Sequence, residues 1–257
     1  MMHTALDGKT VLITGGANNL GGLLARDFAA HGAKAVAIHY NSDKSAEAAK
    51  ETATAVEAAG AKAAIFQGDL RPADAMTKLF DDVEAQFGKI DIGINTVGMV
   101  LRKPIVEISE DDYDHMFDVN SKAAFFFLKE CGQRMNDKGR IVTIVTSLLG
   151  AFAPGYSSYG GAKAPVEHFT RAASKEFAER GISVNAIGPG PMDTSFFYGQ
   201  ETEETTQYHK NNTALSAYST TGLTDIEDIV PYIRMMVTEG WWMTGQTILV
   251  NGGYTTK

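Results

Sequence analysis

The 257 residues include 23 Lys and Arg against 31 Asp and Glu, a formal net charge of −8, which gives a nucleic-acid surface no electrostatic support. At 44% hydrophobic residues the chain has enough apolar material for a sizeable core, and its single cysteine, Cys131, excludes an internal disulfide and any cysteine-cluster metal site. No apolar run approaches the ~20 residues of a membrane span, and the opening MMHTALDGKTVLITGG lacks the basic-then-apolar order of a secretory leader, so a cytoplasmic location is expected.

Short apolar runs then alternate with helical patterns from end to end. The strand candidates are TVLIT (10–14), AVAIHY (35–40), AAIFQ (63–67), IDIGIN (90–95), RIVTIVTS (140–147), ISVNAIG (182–188) and QTILVN (246–251). Between the early ones lie amphipathic stretches at 20–31, 45–59 and 73–87. Gly32, Gly60, Gly88, Gly139 and Gly181 each close a helical run ahead of a strand, where a left-handed residue is expected. Ser109 with Asp112, and Thr224 with Glu227, have capping-box spacing. Strand–helix alternation of this kind predicts one α/β domain over 1–257: a doubly wound, Rossmann-type parallel sheet of about seven strands with helices on both faces.

The first strand runs into TGGANNLGG (14–22) and then a helix. Glycines there let backbone approach a pyrophosphate, and the helix N-terminus offers N–H groups and positive dipole. The spacing is TGxxxGxG with Asn19 in the middle glycine's place, a residue that tolerates left-handed backbone. At the end of the second strand, IHYNSDKS puts His39, Tyr40, Asn41 and Ser42 where an NAD-binding protein usually carries an acid. Without that carboxylate NADP(H) is favoured, with NAD(H) the alternative.

Later, YGGAK (159–163) places Tyr159 and Lys163 four residues apart, on one face of a helix over 157–178. Two adjacent glycines inside a helix cost about 1 kcal/mol each relative to alanine, so a spatial reason for them is expected. After 182–194 the alternation breaks, and the segment 191–222 reads either as a substrate-covering lid, with Phe196, Phe197 and Tyr198 over an apolar ligand, or as a solvated insertion. The six histidines (3, 31, 39, 115, 168 and 209) have no metal-ligand spacing, so no metal site is expected, and the acidic run 201–204 reads as a solvated face.

In this order, TGGANNLG, Asp69-Leu70, NTVG (95–98), Asn120, Thr146-Ser147, YGGAK, PGPMDT (189–194) and TGQTILVNGG resemble the short-chain dehydrogenase/reductase family over nearly the whole chain. The resemblance implies hydride transfer between a nicotinamide and a carbonyl or secondary alcohol, with Tyr159 as acid/base and Lys163 lowering its pKa and holding the nicotinamide ribose. It implies Asn120 in a proton relay and a hydroxyl donor beside Tyr159. Ser147 is assigned that last role because Ser-x-x-Gly matches the family signature, although Thr146 stands at the commoner spacing, thirteen residues before Tyr159. If the strand continues through both, they point to opposite faces and only one can meet Tyr159. The cofactor contacts so implied are Gly15, Asn18, Asn19, Leu20, Gly21, Asp69, Leu70, Asn95, Gly98, Pro189, Gly190, Met192 and Thr194, besides the residues after the second strand and Tyr159 and Lys163. Val97, bulkier than the usual alanine, is expected to crowd the cofactor slightly. Leu148, Leu149, Phe152, Tyr156, Met192, Phe196 and Phe197 are candidate walls of an apolar pocket for a small-molecule substrate, whose identity the sequence leaves open. An NAD-linked alcohol dehydrogenase and a catalytically silent cofactor sensor remain as alternatives, and the family's habit makes a homotetramer, or a homodimer, the expected assembly.

Overall fold

The structure is a computed structural model that describes residues 6–256; His3 lies outside the described residues. Seven strands, β1 (Thr10–Thr14), β2 (Ala35–Tyr40), β3 (Lys62–Gln67), β4 (Ile92–Asn95), β5 (Arg140–Ile144), β6 (Ser183–Pro189) and β7 (Thr247–Val250), form one sheet in the order β3-β2-β1-β4-β5-β6-β7. Every pairing is parallel, as the helical crossovers require. The order reverses between β1 and β4, which opens a crevice at the carboxyl ends of those two strands.

Alternation along β1 divides the core. Val11 and Ile13 pack with Leu24 and Phe28 of α1 (Asn19–Ala30), Val56 of α2 (Ala46–Ala58) and Ile229, Ile233 and Met236 of α9 (Ile226–Val237). Leu12 faces the other way, toward Met76 and Phe80 of α3 (Ala73–Phe87), Phe127 and Cys131 of α5 (Ala123–Arg134) and Ala173 of α6 (Ser157–Glu176). Cys131 is fully buried there, and burial pushes its thiol pKa up, so it serves as core rather than as a nucleophile. Between α4 (Glu110–Phe117) and α5 the chain makes a π turn at Asp118–Lys122, and the segment after β6 carries α7 (Ser195–Tyr198) and α8 (Glu203–Asn212).

Local expectations hold in part. Gly32, Gly60, Gly88 and Gly181 all have positive φ, but Gly139 does not; Lys138 takes that conformation instead, at φ 63°. Gly139 answers to crowding, since a Cβ there would come within 2.9 Å of the Met135 methyl and 3.0 Å of the Asn136 carbonyl. The Ser109–Asp112 capping box is formed. The Thr224–Glu227 box is not: Asp225 caps α9, and Thr224 is held in a parallel bridge to Met192. A box that the sequence reading missed, Thr202 with Thr205, starts α8 inside the segment expected to be irregular. Strand β5 ends at Ile144, so Thr146 and Ser147 lie beyond it, Thr146 as the cap of a short turn over Ser147–Leu149.

Candidate active site

One large cavity, about 490 Å³, runs from the first turn across the ends of β4 and β5 to the segment after β6. At its dinucleotide end Gly15 has φ 75°, and a Cβ on it would stand 2.6 Å from Thr96 Oγ1. A Cβ on Gly21 would stand 2.3 Å from the Gly15 carbonyl, so neither position admits a side chain. Asn19 sits at φ 46°, the left-handed conformation its sequence position called for. Asn18 caps α1 without a side-chain hydrogen bond, and the first turn has no acidic residue. The N-terminal amides of α1 therefore face the cavity uncapped, and the donor set fits a pyrophosphate.

His39 is wired into this cradle. Its Nδ1 accepts the Gly15 N–H at 3.2 Å and its Nε2–H donates to the Gly68 carbonyl at 2.8 Å. Both nitrogens are spent on main chain, and burial holds its pKa at about 4, so the ring is a neutral brace rather than a phosphate ligand. Asn41 lines the cavity; Tyr40 and Ser42 do not. Tyr40 is buried with its hydroxyl near Gln67 Oε1 at 3.4 Å, and Ser42 caps the turn at Asp43–Ser45. Asp43, the first carboxylate after β2, is outside the lining and accepts from Gln67 Nε2 at 3.0 Å. Asp69 and Leu70 line the cavity as expected, together with Arg71 and His115, which the sequence reading missed. Arg71 Nε donates to Asp69 at 2.8 Å and holds that carboxyl below its usual range, while Arg71 Nη1 meets His115 Nδ1 at 3.1 Å. Asn95 is also displaced from its expected place: it is buried behind the wall, where its Oδ1 accepts from Thr14 Oγ1 at 2.7 Å and from the Val97 N–H at 3.2 Å. Val97, Gly98, Pro189, Gly190, Met192 and Thr194 line the cavity.

At the chemical end, Tyr159 and Lys163 are both buried on α6 and both face the cavity. Of the two hydroxyl residues, it is Thr146 that draws the Tyr159 phenol pKa down, and not Ser147. Thr146 Oγ1 also accepts the Leu148 N–H at 3.3 Å, which leaves its own proton free to be donated. Ser147 lines the cavity, but its Oγ donates to the Gly188 carbonyl at 3.2 Å and accepts from Asn251 Nδ2 at 3.0 Å. The turn that starts at Ser147 swings this hydroxyl toward β6 and the residues after β7. Lys163 Nζ donates to the Ile144 carbonyl at 2.9 Å and the Val97 carbonyl at 3.4 Å. Burial pushes the Tyr159 phenol up to about 12, against the pull of Thr146, and brings Lys163 down to about 8. In the protein alone desolvation thus sets the direction for the phenol, with no lowering from Lys163 among its causes, and Tyr159 holds its proton at neutral pH.

Asn120 stands behind these residues, fully buried, in the π turn. Its Nδ2 donates to the Met99 and Met116 carbonyls at 2.9 and 3.0 Å, and its Oδ1 accepts the Met99 N–H at 3.1 Å. The bond to the Met116 carbonyl ties this side chain back to the last turn of α4. Gly98 is wedged in front: a Cβ there would lie 3.0 Å from both Asn120 Oδ1 and Lys163 Nζ. The two glycines of YGGAK do less than expected. Neither lines the cavity, and a Cβ on Gly160 or Gly161 meets nothing nearer than Leu148 at 3.9 Å or Phe117 at 4.0 Å.

The substrate end is walled by Leu148, Tyr156, Met192, Phe196 and Phe197. Leu149 instead packs beside Val145 and Val166, and Phe152 is 94% exposed. His209 and Tyr254 also line this end, and neither stood out in the sequence. Behind them Glu201, read as part of a solvated acidic face, has a fully buried side chain. Among the described residues no group of three or more His, Cys, Asp or Glu is placed to hold a metal ion, and no helix is long and apolar enough to cross a membrane.

A family model described as enoyl-(acyl carrier protein) reductase matches residues 15–255. The crystal structure of a putative dehydrogenase from Burkholderia cenocepacia with bound NADP is 68% identical, with a TM-score of 0.97 over 98% of this chain and 95% of that one. A short-chain dehydrogenase/reductase from Serratia marcescens BCRC 10948 is 27% identical, with a TM-score of 0.90 over 98% of this chain and all of that one. Among curated relatives, the short chain dehydrogenase/reductase nsrJ of Aspergillus novofumigatus is 31% identical, and the match covers 96% of each chain. With the parallel sheet, the glycine cradle and the buried Tyr159–Lys163 pair, these likenesses make the chain a member of the short-chain dehydrogenase/reductase family, oxidoreductases that act on CH–OH and C=O groups.

Proposed function

We propose that the protein is an NADP(H)-dependent reductase of small carbonyl compounds, with Tyr159 as the proton donor. The observation that carries this reading is that Tyr159, Thr146 and Lys163, all buried, line the same cavity as the uncapped N-terminus of α1. A bound nicotinamide dinucleotide supplies the hydride. The chain's part is to hold the carbonyl oxygen between two O–H groups. Thr146 Oγ1 donates to it and stabilises the charge that develops there, and Tyr159 Oη gives up its proton to the same atom. Because burial keeps that proton on Tyr159 until about pH 12, the enzyme is well supplied with acid at neutral pH. Lys163, tied to the Ile144 and Val97 carbonyls, has its remaining N–H available to a ribose hydroxyl, as the family resemblance implies. Asn120 fixes the Met99 main chain and so the height of Gly98 against that lysine.

The preference for NADP(H) is supported by three things. No carboxylate from 39–43 lines the cavity. Asp69, the only acid among the described residues that line the cavity, is paired with Arg71. The similar Burkholderia dehydrogenase carries bound NADP. Half-exposed aromatic side chains on α4 and α5, Tyr113 and Phe125, support the homotetramer or homodimer that the family leads one to expect.

Paired fluorescence titrations with NADPH and NADH at fixed salt test the cofactor. NADPH binding at least about tenfold tighter is expected, a difference of about 1.4 kcal/mol; equal affinity would move the reading to an NAD-linked dehydrogenase working oxidatively. In the same protein, Tyr159→Phe should lower carbonyl reduction by at least about a hundredfold while NADPH still binds. A variant that turns over at the wild-type rate would remove Tyr159 from the mechanism.

A further inference from the structure

At the end of the cavity beyond Tyr156, four polar side chains form a relay that the chemistry at Tyr159 does not use. Glu201, its side chain fully buried, lies 3.6 Å from His209 Nε2 and 3.8 Å from Arg102 Nη1. Its two oxygens have no hydrogen bond among the described residues. On the other side of the ring, His209 Nδ1 is 3.0 Å from the Tyr254 hydroxyl. His209 is buried at 4% exposure, and its ring is enclosed edge-on by Tyr156 and Phe197. His209 and Tyr254 line the cavity itself; Glu201 and Arg102 stand behind them.

The charges fix the direction of the relay. A carboxylate 3.6 Å from Nε2 favours the tautomer with its proton on that nitrogen. Burial lowers the His209 pKa, which keeps the ring singly protonated, so Nδ1 is an acceptor. The Tyr254 phenol, pushed up to about 12 by burial, keeps its proton and gives it to Nδ1. With its one proton committed, the Tyr254 oxygen can only accept from anything bound in the cavity. A partly buried acceptor at one end of an apolar pocket selects ligands that carry a matching donor, because a bound ligand without one covers the acceptor and leaves it unpaired.

We infer that Tyr254, oriented by His209 and Glu201, accepts a hydrogen bond from a hydroxyl group on the substrate, which makes that substrate a ring-bodied carbonyl compound with a hydroxyl at the end remote from the carbonyl. The apolar body is set by the walls: Tyr156 stacks edge-on between Tyr159 and His209, with ring centroids 6.2 and 6.3 Å away, and Leu148, Phe196 and Phe197 complete the enclosure. Tyr254 and His209 are thus substrate-positioning residues. The inference rests on the carbonyl-reductase reading for its choice of ligand but not for its readout, which is binding.

Calorimetric titration of the protein in saturating NADP+ with three probes tests it: 6-hydroxy-2-tetralone, its 6-methoxy analogue and unsubstituted 2-tetralone. The hydroxylated ketone should bind about tenfold more tightly than the other two, the worth of one hydrogen bond to an acceptor that the ligand covers. The methoxy compound, which has an acceptor and no donor, should gain nothing over the parent. In Tyr254→Phe, and in His209→Phe, which keeps a ring but frees the Tyr254 proton, the gap should close to about twofold. A hydroxylated probe that binds no better than the others, three probes that all fail to bind, or a gap that survives Tyr254→Phe would each overturn the assignment. Binding with the expected gap but no reduction of any probe would instead strike the Tyr159 reading and leave this one standing.

Discussion

Thr146 and Ser147 are neighbouring hydroxyls with different neighbours, and the difference is a matter of where β5 stops. Had the strand continued, pleat alone would have separated their directions; the turn at Ser147–Leu149 commits the Ser147 hydroxyl to Gly188 and Asn251, while Thr146 lines the cavity with Tyr159 and pulls on its phenol. Thr146→Ala should lower kcat by about a hundredfold, the scale of losing one donor to a developing oxyanion. Ser147→Ala should leave kcat within a few-fold, and cost about 1–2 kcal/mol of stability through the lost contacts to Gly188 and Asn251. Steady-state kinetics with urea unfolding on both variants separates the two roles, and the reverse ranking in kcat would return the donor role to Ser147. The local Ser-x-x-Gly signature favoured Ser147, whose hydroxyl is engaged with Gly188 and Asn251, because a signature records chain neighbours and not the contacts a side chain makes with other elements.

Among the elements, α6 shows how an expected spatial constraint can dissolve. Gly160 lies in a regular helix at ordinary φ, and a methyl there would touch only Leu148, at the normal distance of 3.9 Å. Gly160→Ala should therefore stabilise the protein by about 0.5–1 kcal/mol through helix propensity. For a chain of this size that raises Tm by roughly 2 °C. A calorimetric scan showing a lower Tm would mean that something packs there which the single chain does not contain. Gly98 is the contrasting case, since any side chain would drive into Asn120 and Lys163. The segment after β6 differs again. Its polar composition hid α8, whose start depends on a Thr202–Thr205 box rather than the usual acid or amide partner, and whose His209 is buried among Tyr156, Phe197, Tyr254 and Glu201.

Across the whole molecule, His39 joins three elements through one neutral ring: β2, the first turn at Gly15 and the residue after β3 at Gly68. Its pKa is 6.5 in an unfolded chain and about 4 in the fold, with burial the main cause. The unfolded state therefore binds the extra proton first. The associated stability is complete above pH 6.5, falls as pH drops from 6.5 to 4, and reaches a full loss of about 3 kcal/mol below that. Urea unfolding at fixed protein concentration should show a loss of about 2 kcal/mol between pH 7 and pH 5, and His39→Gln should flatten it; an equal slope in that variant would assign the acid sensitivity elsewhere. Much of this architecture was legible in the chain order of residues. Strand–helix alternation, the glycine turn with its left-handed Asn19, and the i, i+4 pair Tyr159–Lys163 are short-range patterns, and short-range sterics and periodicity decide them. The sequence by itself thus determined the parallel sheet, the glycine cradle and the pairing of Tyr159 with Lys163 on one helix face. Tertiary structure alone decided that the Ser147 hydroxyl is spent on Gly188 and Asn251, that His39 is a brace, that Asn95 stands behind the wall, and that Glu201 is buried beside His209. Those outcomes depend on contacts between elements far apart in the chain, where the burial of one side chain is set by another that no local pattern announces.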